Sequence, residues 1–213
     1  MMLNDINSEA FEEENENVPA QKDRPSKKSG NEIINLSFRL MIIIAAVVLM
    51  LAFVNGLTKD TIAENERRAN DEARKSLFQE ATAFTPVSAE LSEDLAKYVG
   101  DIYEASKGSE KLGYCVSVSN NGFGGAINMI VGISSDGLIV GVKVVSHSET
   151  AGVGERVISN GSILSLFVDL PTGSVESLNP KETITGATVT SNAIKKGVEK
   201  AVEAITPIMN GGD

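Results

Sequence analysis

Between Arg39 and Lys59 the chain runs nineteen residues without a charge, and from Leu40 to Val54 it reads LMIIIAAVVLMLAFV without a polar residue. A helix rises about 1.5 Å per residue, so this stretch matches the roughly 30 Å of hydrocarbon in a bilayer. Burying such a helix on all sides would need a large surrounding core, which a 213-residue chain has little room to build. A signal peptide is the nearer rival, with Lys27, Lys28 and Arg39 as its basic flank. Against it, the run starts late and the cleavage pattern after Ala52 is weak. The expectation is a retained single-pass transmembrane helix over 36–57.

The flanks say less about orientation. Five basic residues precede the span (Lys22, Arg24, Lys27, Lys28, Arg39) and four follow within twenty positions of Val54 (Lys59, Arg67, Arg68, Arg74), so the positive-inside bias is slight. Glu9, Glu12, Glu13, Glu14 and Glu16 lie among asparagines near the N-terminus, which predicts a disordered acidic tail over 1–35. Such a tail is more easily left in the cytoplasm than a folded domain. The net charge of -10, with no basic cluster beyond Lys22 to Lys28, argues against a nucleic-acid partner. One cysteine, Cys115, cannot form an internal disulfide, and no Cys/His cluster is present to hold a metal. Redox chemistry in this chain therefore calls for an organic cofactor.

Beyond the span, Ile62, Ala69, Ala73 and Leu77 recur at helical spacing in a charge-rich stretch, predicting a helical stalk and linker over 58–94, with a joint at Pro86. A folded domain is expected over 95–213. From Gly113 the period becomes that of strands: GYCVSVS, AINMIVGIS and LIVGVKVVS, divided by turns at Asn120 to Gly125 and Ser134 to Gly137, predict a three-stranded antiparallel meander. Phe123-Gly124-Gly125 lacks the spacing and the lysine of a phosphate-cradling loop and reads as a hairpin turn with a bulge. A short helix is expected over 159–170, then a connecting loop from Pro171 to Pro180. Val189, Ile194, Val198, Ala201, Val202 and Ile205 mark one apolar face of a last helix ending before Pro207. The fold class expected is α+β, an antiparallel sheet with flanking helices.

Two polar segments carry candidate chemistry. His147, Glu149, Thr150, Gly152 and Gly154 lie in one irregular loop after a strand, where ligand contacts are common. A Ser-His-Asp hydrolase has little support, because no G-x-S-x-G elbow occurs. Thr185-Gly186-Ala187-Thr188 precedes the last helix, and two readings of it are open. In one, Thr188, Thr190 or Ser191 caps the helix. In the other, the free N–H groups and the positive end of the helix dipole receive a phosphate, and Gly186 and Ala187 leave room for it.

The apolar span, HSETAGVG at 147–154 and TGATVTSNAI at 185–194 together resemble the G subunit of the Rnf electron-transport complex, a relative of the C subunit of the sodium-pumping NADH:quinone oxidoreductase. The resemblance covers nearly everything from Leu36 to Ile205. It implies an extracytoplasmic FMN-binding domain over 95–213, with FMN held through a phosphoester on the last threonine of the motif, Thr188. It further implies a flavin transferase that uses FAD as donor, a flavin-site role for the 147–154 loop, and no catalytic residue of the chain's own. By resemblance, the function is electron relay within a membrane complex of several subunits that couples ferredoxin:NAD electron transfer to Na⁺ or H⁺ translocation. Two departures stand out: Glu182 where the family carries an aspartate, and Ala151 where it often has proline. An exported stand-alone flavoprotein and a flavin-free binding module are the alternatives.

Overall fold

The computed structural model describes residues 30–152, 154–179 and 188–211, which divide into two compact units between Asn55 and Gly56. The first unit holds the apolar part of α1 (Gly30–Leu77). Its side chains from Leu40 to Val54 are exposed, and the most apolar 18-residue window has a mean hydropathy of 2.7 with none of it buried. Among the described residues, this is the one helix long and apolar enough to cross a membrane. An apolar face exposed all round is stable only against lipid or protein.

The second unit is built on a six-stranded antiparallel sheet: β1 (Ala83–Val87), β2 (Val99–Lys107), β3 (Glu110–Asn121), β4 (Ala126–Ser134), β5 (Leu138–His147) and β6 (Leu170–Pro171), adjacent in chain order. The three strands expected from periodicity are β3, β4 and β5, and the α+β class holds. Three further strands lie outside the expectation. Residues 83–87 fall within the expected linker, yet they pair with β2 from Ala83↔Ser106 to Val87↔Ile102. Pro86 is tolerated there because an edge strand has an N–H to spare. Leu170 and Pro171 add the other edge, pairing with Ile139 and Leu138.

The two sheet faces are covered differently. On one face α4 (Thr188–Asn210) lays Ile194, Val198, Ala201 and Ile205 into a core with Val116, Val118, Ile127, Met129 and Val131, joined by Phe167. Each fully buried side chain of this size contributes roughly 1.5–3 kcal/mol. Gly197 supplies the close approach that its weak helix propensity requires: a Cβ there would stand 2.9 Å from Met129 Cε and 3.4 Å from Val118 Cγ1. On the other face, Leu77 and Phe78 pack with Ala105, Cys115 and Ile130. Gly132 and Gly141 are direct cross-strand partners, and the hollow they leave is filled by Leu77, 3.3 and 3.1 Å from their would-be Cβ positions. The end of α1 is therefore part of this fold rather than a free stalk.

Between β5 and β6 run α2 (Gly154–Asn160) and α3 (Ser162–Ser165), two short helices in place of the single one expected over 159–170. Gly161, at φ 66°, breaks them by adopting a left-handed conformation open to glycine. Helix α4 continues through Pro207 to Asn210, with Thr206 Oγ1 donating to the Val202 carbonyl at 2.6 Å. Pro207 sits in the last turn, where only one backbone bond is lost to its ring.

Candidate functional site

The site forms where four chain segments meet at one end of the sheet. The β3–β4 ladder runs unbroken to Asn121↔Ala126, so Gly122 to Gly125 form a four-residue connection without a bulge, closed by Gly122 N–H donating to the Gly125 carbonyl at 2.8 Å. Against this turn lies the loop that leaves β5. Phe123 N–H donates to Glu149 Oε1 at 2.9 Å and Gly124 N–H donates to Glu149 Oε2 at 3.1 Å, so one carboxylate grips two consecutive backbone amides. Hydrogen bonds to a charged acceptor are about twice as strong as neutral ones. The amides of the glycine turn are thus committed to Glu149.

This contact dictates the glycines around it. A Cβ at Gly122 or at Gly154 would overlap the Glu149 carboxylate, and one at Gly124 would come 2.6 Å from Thr150 N and 2.9 Å from Thr150 Oγ1. The Gly154 position also meets α4: its would-be Cβ stands 2.8 Å from Thr190 Oγ1. Glu149 therefore joins the hairpin turn, the start of α2 and the first turn of α4 around one point.

His147 is the exposed last residue of β5, and its Nδ1 accepts the Glu149 N–H at 3.4 Å. Thr150 is exposed, and its carbonyl accepts from Glu155 N–H at 3.5 Å, which turns the chain into α2. Gly152 takes φ 81°, a left-handed conformation that disfavours any side chain. Gly154 is buried as the first residue of α2. Of this set, the structure brings Glu149, Thr150 and Gly154 together with the hairpin, while His147 acts on the backbone of its own loop.

Thr188 is the half-buried first residue of α4, while Glu182, Thr185, Gly186 and Ala187 lie outside the described residues. Thr190 and Ser191 follow in the first turn, each only 1% exposed. Neither Thr190 Oγ1 nor Ser191 Oγ has a hydrogen-bond partner among the described residues. They lie inside the helix rather than before it and cap nothing there. The first-turn N–H groups of α4 lack intrahelical acceptors, and the helix dipole adds a partial positive charge at the same place. Sequence reasoning offers both hydroxyls as caps and leaves the glycine turn unrelated to them; the unusual density of glycine at 122–125 is the signal that points to the turn.

Other features carry less chemistry. An open cleft of about 400 Å³, lined by Glu66, Asn70, Tyr98, Ser117, Asn128 and Ser146 among others, contains none of these site residues. No cluster of three potential metal ligands occurs among the described residues. Cys115 is 1% exposed, and burial pushes its thiol up from the ordinary 9.0 to about 12, against a smaller lowering by the Arg74 guanidinium. A thiol held protonated in this way is packing rather than nucleophile.

The assembled segments bring a glycine turn, the Glu149 carboxylate and a helix N-terminus to one end of the sheet, and residues 122–203, which begin at that turn and end within α4, match the FMN-binding domain family. Over most of its length the chain is similar to G subunits of ion-translocating oxidoreductase complexes. One is the G subunit of the proton-translocating ferredoxin:NAD(+) oxidoreductase complex of Clostridium ljungdahlii, 29% identical over 86% of this chain and 97% of that protein. Another is its Na(+)-translocating counterpart in Acetobacterium woodii, 28% identical over 80% of this chain and 90% of that protein. Among solved structures, NqrC of Shewanella oneidensis covers 62% of this chain and 71% of its own, at 22% identity and a TM-score of 0.42. The resemblance read from the motifs is borne out: residues 122–203 match the FMN-binding domain family, and most of the chain is similar to Rnf-type G subunits.

Proposed function

We propose that this chain is the membrane-anchored electron-relay subunit of an oxidoreductase complex that couples ferredoxin:NAD electron transfer to Na⁺ or H⁺ translocation, and that it carries FMN through a phosphoester to Thr188. The observation that carries the reading is the pair of buried hydroxyls at the N-terminal turn of α4, the helix that Thr188 opens, which have no partner among the described residues. This donor set fits a phosphate: hydroxyls, first-turn amides without intrahelical acceptors and a helix dipole, beside a glycine turn latched by Glu149. Bound FMN would supply one- or two-electron transfer, and the protein supplies its position and electrostatics.

In this reading the chain's own residues attach, orient and anchor. Thr188 Oγ displaces AMP from the diphosphate of FAD in a reaction run by a separate flavin transferase; the new bond is threonine oxygen to FMN phosphorus, and the hydroxyl proton leaves with the products. Glu149 fixes the hairpin and the 147–154 loop that border the cofactor. Glu182, Thr185, Gly186 and Ala187 form the segment that the transferase recognises. The domain stands on the outer side of the membrane and the N-terminal tail in the cytoplasm. No Asp, Glu, Lys or Arg occurs between 40 and 58, so ion passage belongs to other subunits.

Intact mass and a visible spectrum, taken on protein made with and without a flavin transferase, test the reading. The expected result is an added FMN on the wild type and on Thr188→Ser, and none on Thr188→Ala. A wild-type mass without the addition would overturn it. Co-purification with several polytopic subunits is expected, whereas isolation as a lone flavoprotein would favour an exported reductase.

A further inference from the structure

Position 120 breaks the apolar pattern of the face it occupies. Val116, Val118 and Asn120 alternate onto the side of β3 that α4 covers, and the register partner of Asn120 is the fully buried Ile127. Asn120 is itself only 7% exposed. Both ends of its amide are engaged: Nδ2 donates to the Ala193 carbonyl of α4 at 2.8 Å, and Oδ1 accepts the Asn121 N–H at 3.0 Å. Burying an amide costs free energy that an aliphatic side chain would not, so the bond to α4 calls for a role.

That bond restrains a motion which the rest of the interface opposes weakly. Ile194, Val198, Ala201 and Ile205 hold α4 on the sheet through apolar contacts, which have no direction and fix the separation of helix and sheet better than the helix's place along its axis. The closest approach, Gly197 against Met129, meets a flexible thioether. Surface bonds add little rigidity: Lys195 Nζ donates to the Glu176 carbonyl at 2.7 Å and Lys196 Nζ to Tyr98 Oη at 3.2 Å, each at the end of a flexible four-carbon stem. The Asn120 amide is short, and the strand that carries it is paired without interruption to Asn121↔Ala126. A single buried polar group within an apolar interface is well suited to specifying register. Ala193 lies five residues after Thr188, roughly 7.5 Å along the same helix. Asn120 also stands two residues before Gly122, so the strand that locates α4 is the one that leads into the turn latched by Glu149.

We propose that Asn120 is a positioning residue: its hydrogen bond to the Ala193 carbonyl sets the axial register of α4 on the sheet, and so places the Thr188 hydroxyl for the flavin transferase. The link to flavin attachment rests on the reading of Thr188 given above, while the register itself does not. Asn120 acts through the helix rather than on the reacting atoms.

The test uses the full-length chain in detergent micelles. Asn120→Leu replaces the amide by an apolar side chain of similar size and orphans nothing on α4, because the Ala193 carbonyl keeps its intrahelical donor. Its apo Tm is therefore expected to stay near that of wild type. Spin labels on Asn128→Cys and Thr206→Cys, both at exposed positions, report the place of α4 by pulsed electron–electron distance measurement, while the buried Cys115 escapes labelling. Asn120→Leu is expected to move the mean distance by about 1.5 Å or more, one residue's rise, or to make the distribution at least twice as wide. With FAD and a flavin transferase, kcat/KM for flavin attachment is expected to fall at least tenfold in the label-free Asn120→Leu chain. An unchanged distance distribution overturns the register role, whatever the rate of attachment. A changed distribution with wild-type attachment overturns the link to Thr188. A wild type that takes up no FMN overturns the reading of Thr188, and the label distances then decide the register role alone. Where Asn120→Leu does not fold, Asn120→Ser, whose hydroxyl is too short to reach Ala193, is read in the same way.

Discussion

Glu149 and Gly154 are mutually dependent: the carboxylate that grips the amides of Phe123 and Gly124 occupies the space a side chain at 154 would need. Gly154→Ala should therefore expel Glu149 from its place and cost about 1–3 kcal/mol, as overpacking of a tight contact does. In a Glu149→Ala background the same substitution should cost less, with only the Thr190 Oγ1 contact at 2.8 Å left to relieve. Urea unfolding of the four proteins in this cycle measures the coupling, and additive effects would contradict the contact.

Gly197 lies against Met129, and the two nearest obstacles to a Cβ are the flexible Cε and Sδ of that side chain, at 2.9 and 3.2 Å. Gly197→Ala is expected to be near neutral, because the helix-propensity gain of about 1 kcal/mol offsets a small shift of the methionine. Gly197→Val should lose about 1–3 kcal/mol, since a branched side chain also meets Val118. Denaturant midpoints for the two variants provide the comparison.

Arg74 is 8% exposed, paired with Asp71, and its guanidinium carbon stands 4.0 Å above the Tyr103 ring. Arg68 pairs with Glu72 on the same helix, but with 76% of its side chain exposed. Arg74→Ala is expected to destabilise by about 1–3 kcal/mol, through lost packing and a desolvated cation–π contact. Arg68→Ala should stay within about 0.5 kcal/mol, as exposed ion pairs contribute little. Equal effects in thermal unfolding would count against the role given to Tyr103.

Cys115 makes a prediction in pH. Its folded thiol titrates near 12 and its unfolded thiol near 9.0, so the native state holds its proton more tightly than the unfolded chain does. The stability this provides is complete below pH 9 and is lost as pH rises from about 9 to 12. Cys115→Ala should flatten that part of the stability-against-pH curve, and native wild type should resist alkylation at pH 8 while the unfolded chain reacts.

The strands β3, β4 and β5 are legible because alternation is a local signal that survives burial, and α4 is legible for the matching reason at helical period. The edge strands escape. The segment 83–87 contains Pro86 and a half-exposed pattern, and it is a strand only because β2 offers it a free edge. Leu77 and Phe78 look like the tail of a stalk helix; their burial depends on the facing glycines at 132 and 141, more than fifty residues on. The site is half legible. Glu149 and Gly154 stand out as members of a polar loop, but the turn that Glu149 holds is 25 and 26 residues away in sequence.

By itself the amino-acid order determined what depends on near neighbours: an apolar helix long enough for a bilayer, alternating strands, an amphipathic last helix and a threonine at its entry. These follow from periodicity, length and turn chemistry, which act within a few residues. Tertiary structure alone decided that Glu149 closes the glycine turn, that Gly154 must lack a side chain, and that the hydroxyls of Thr190 and Ser191 are buried. Each of these is a competition for one small volume among segments distant in the chain, and such competition has no local signature.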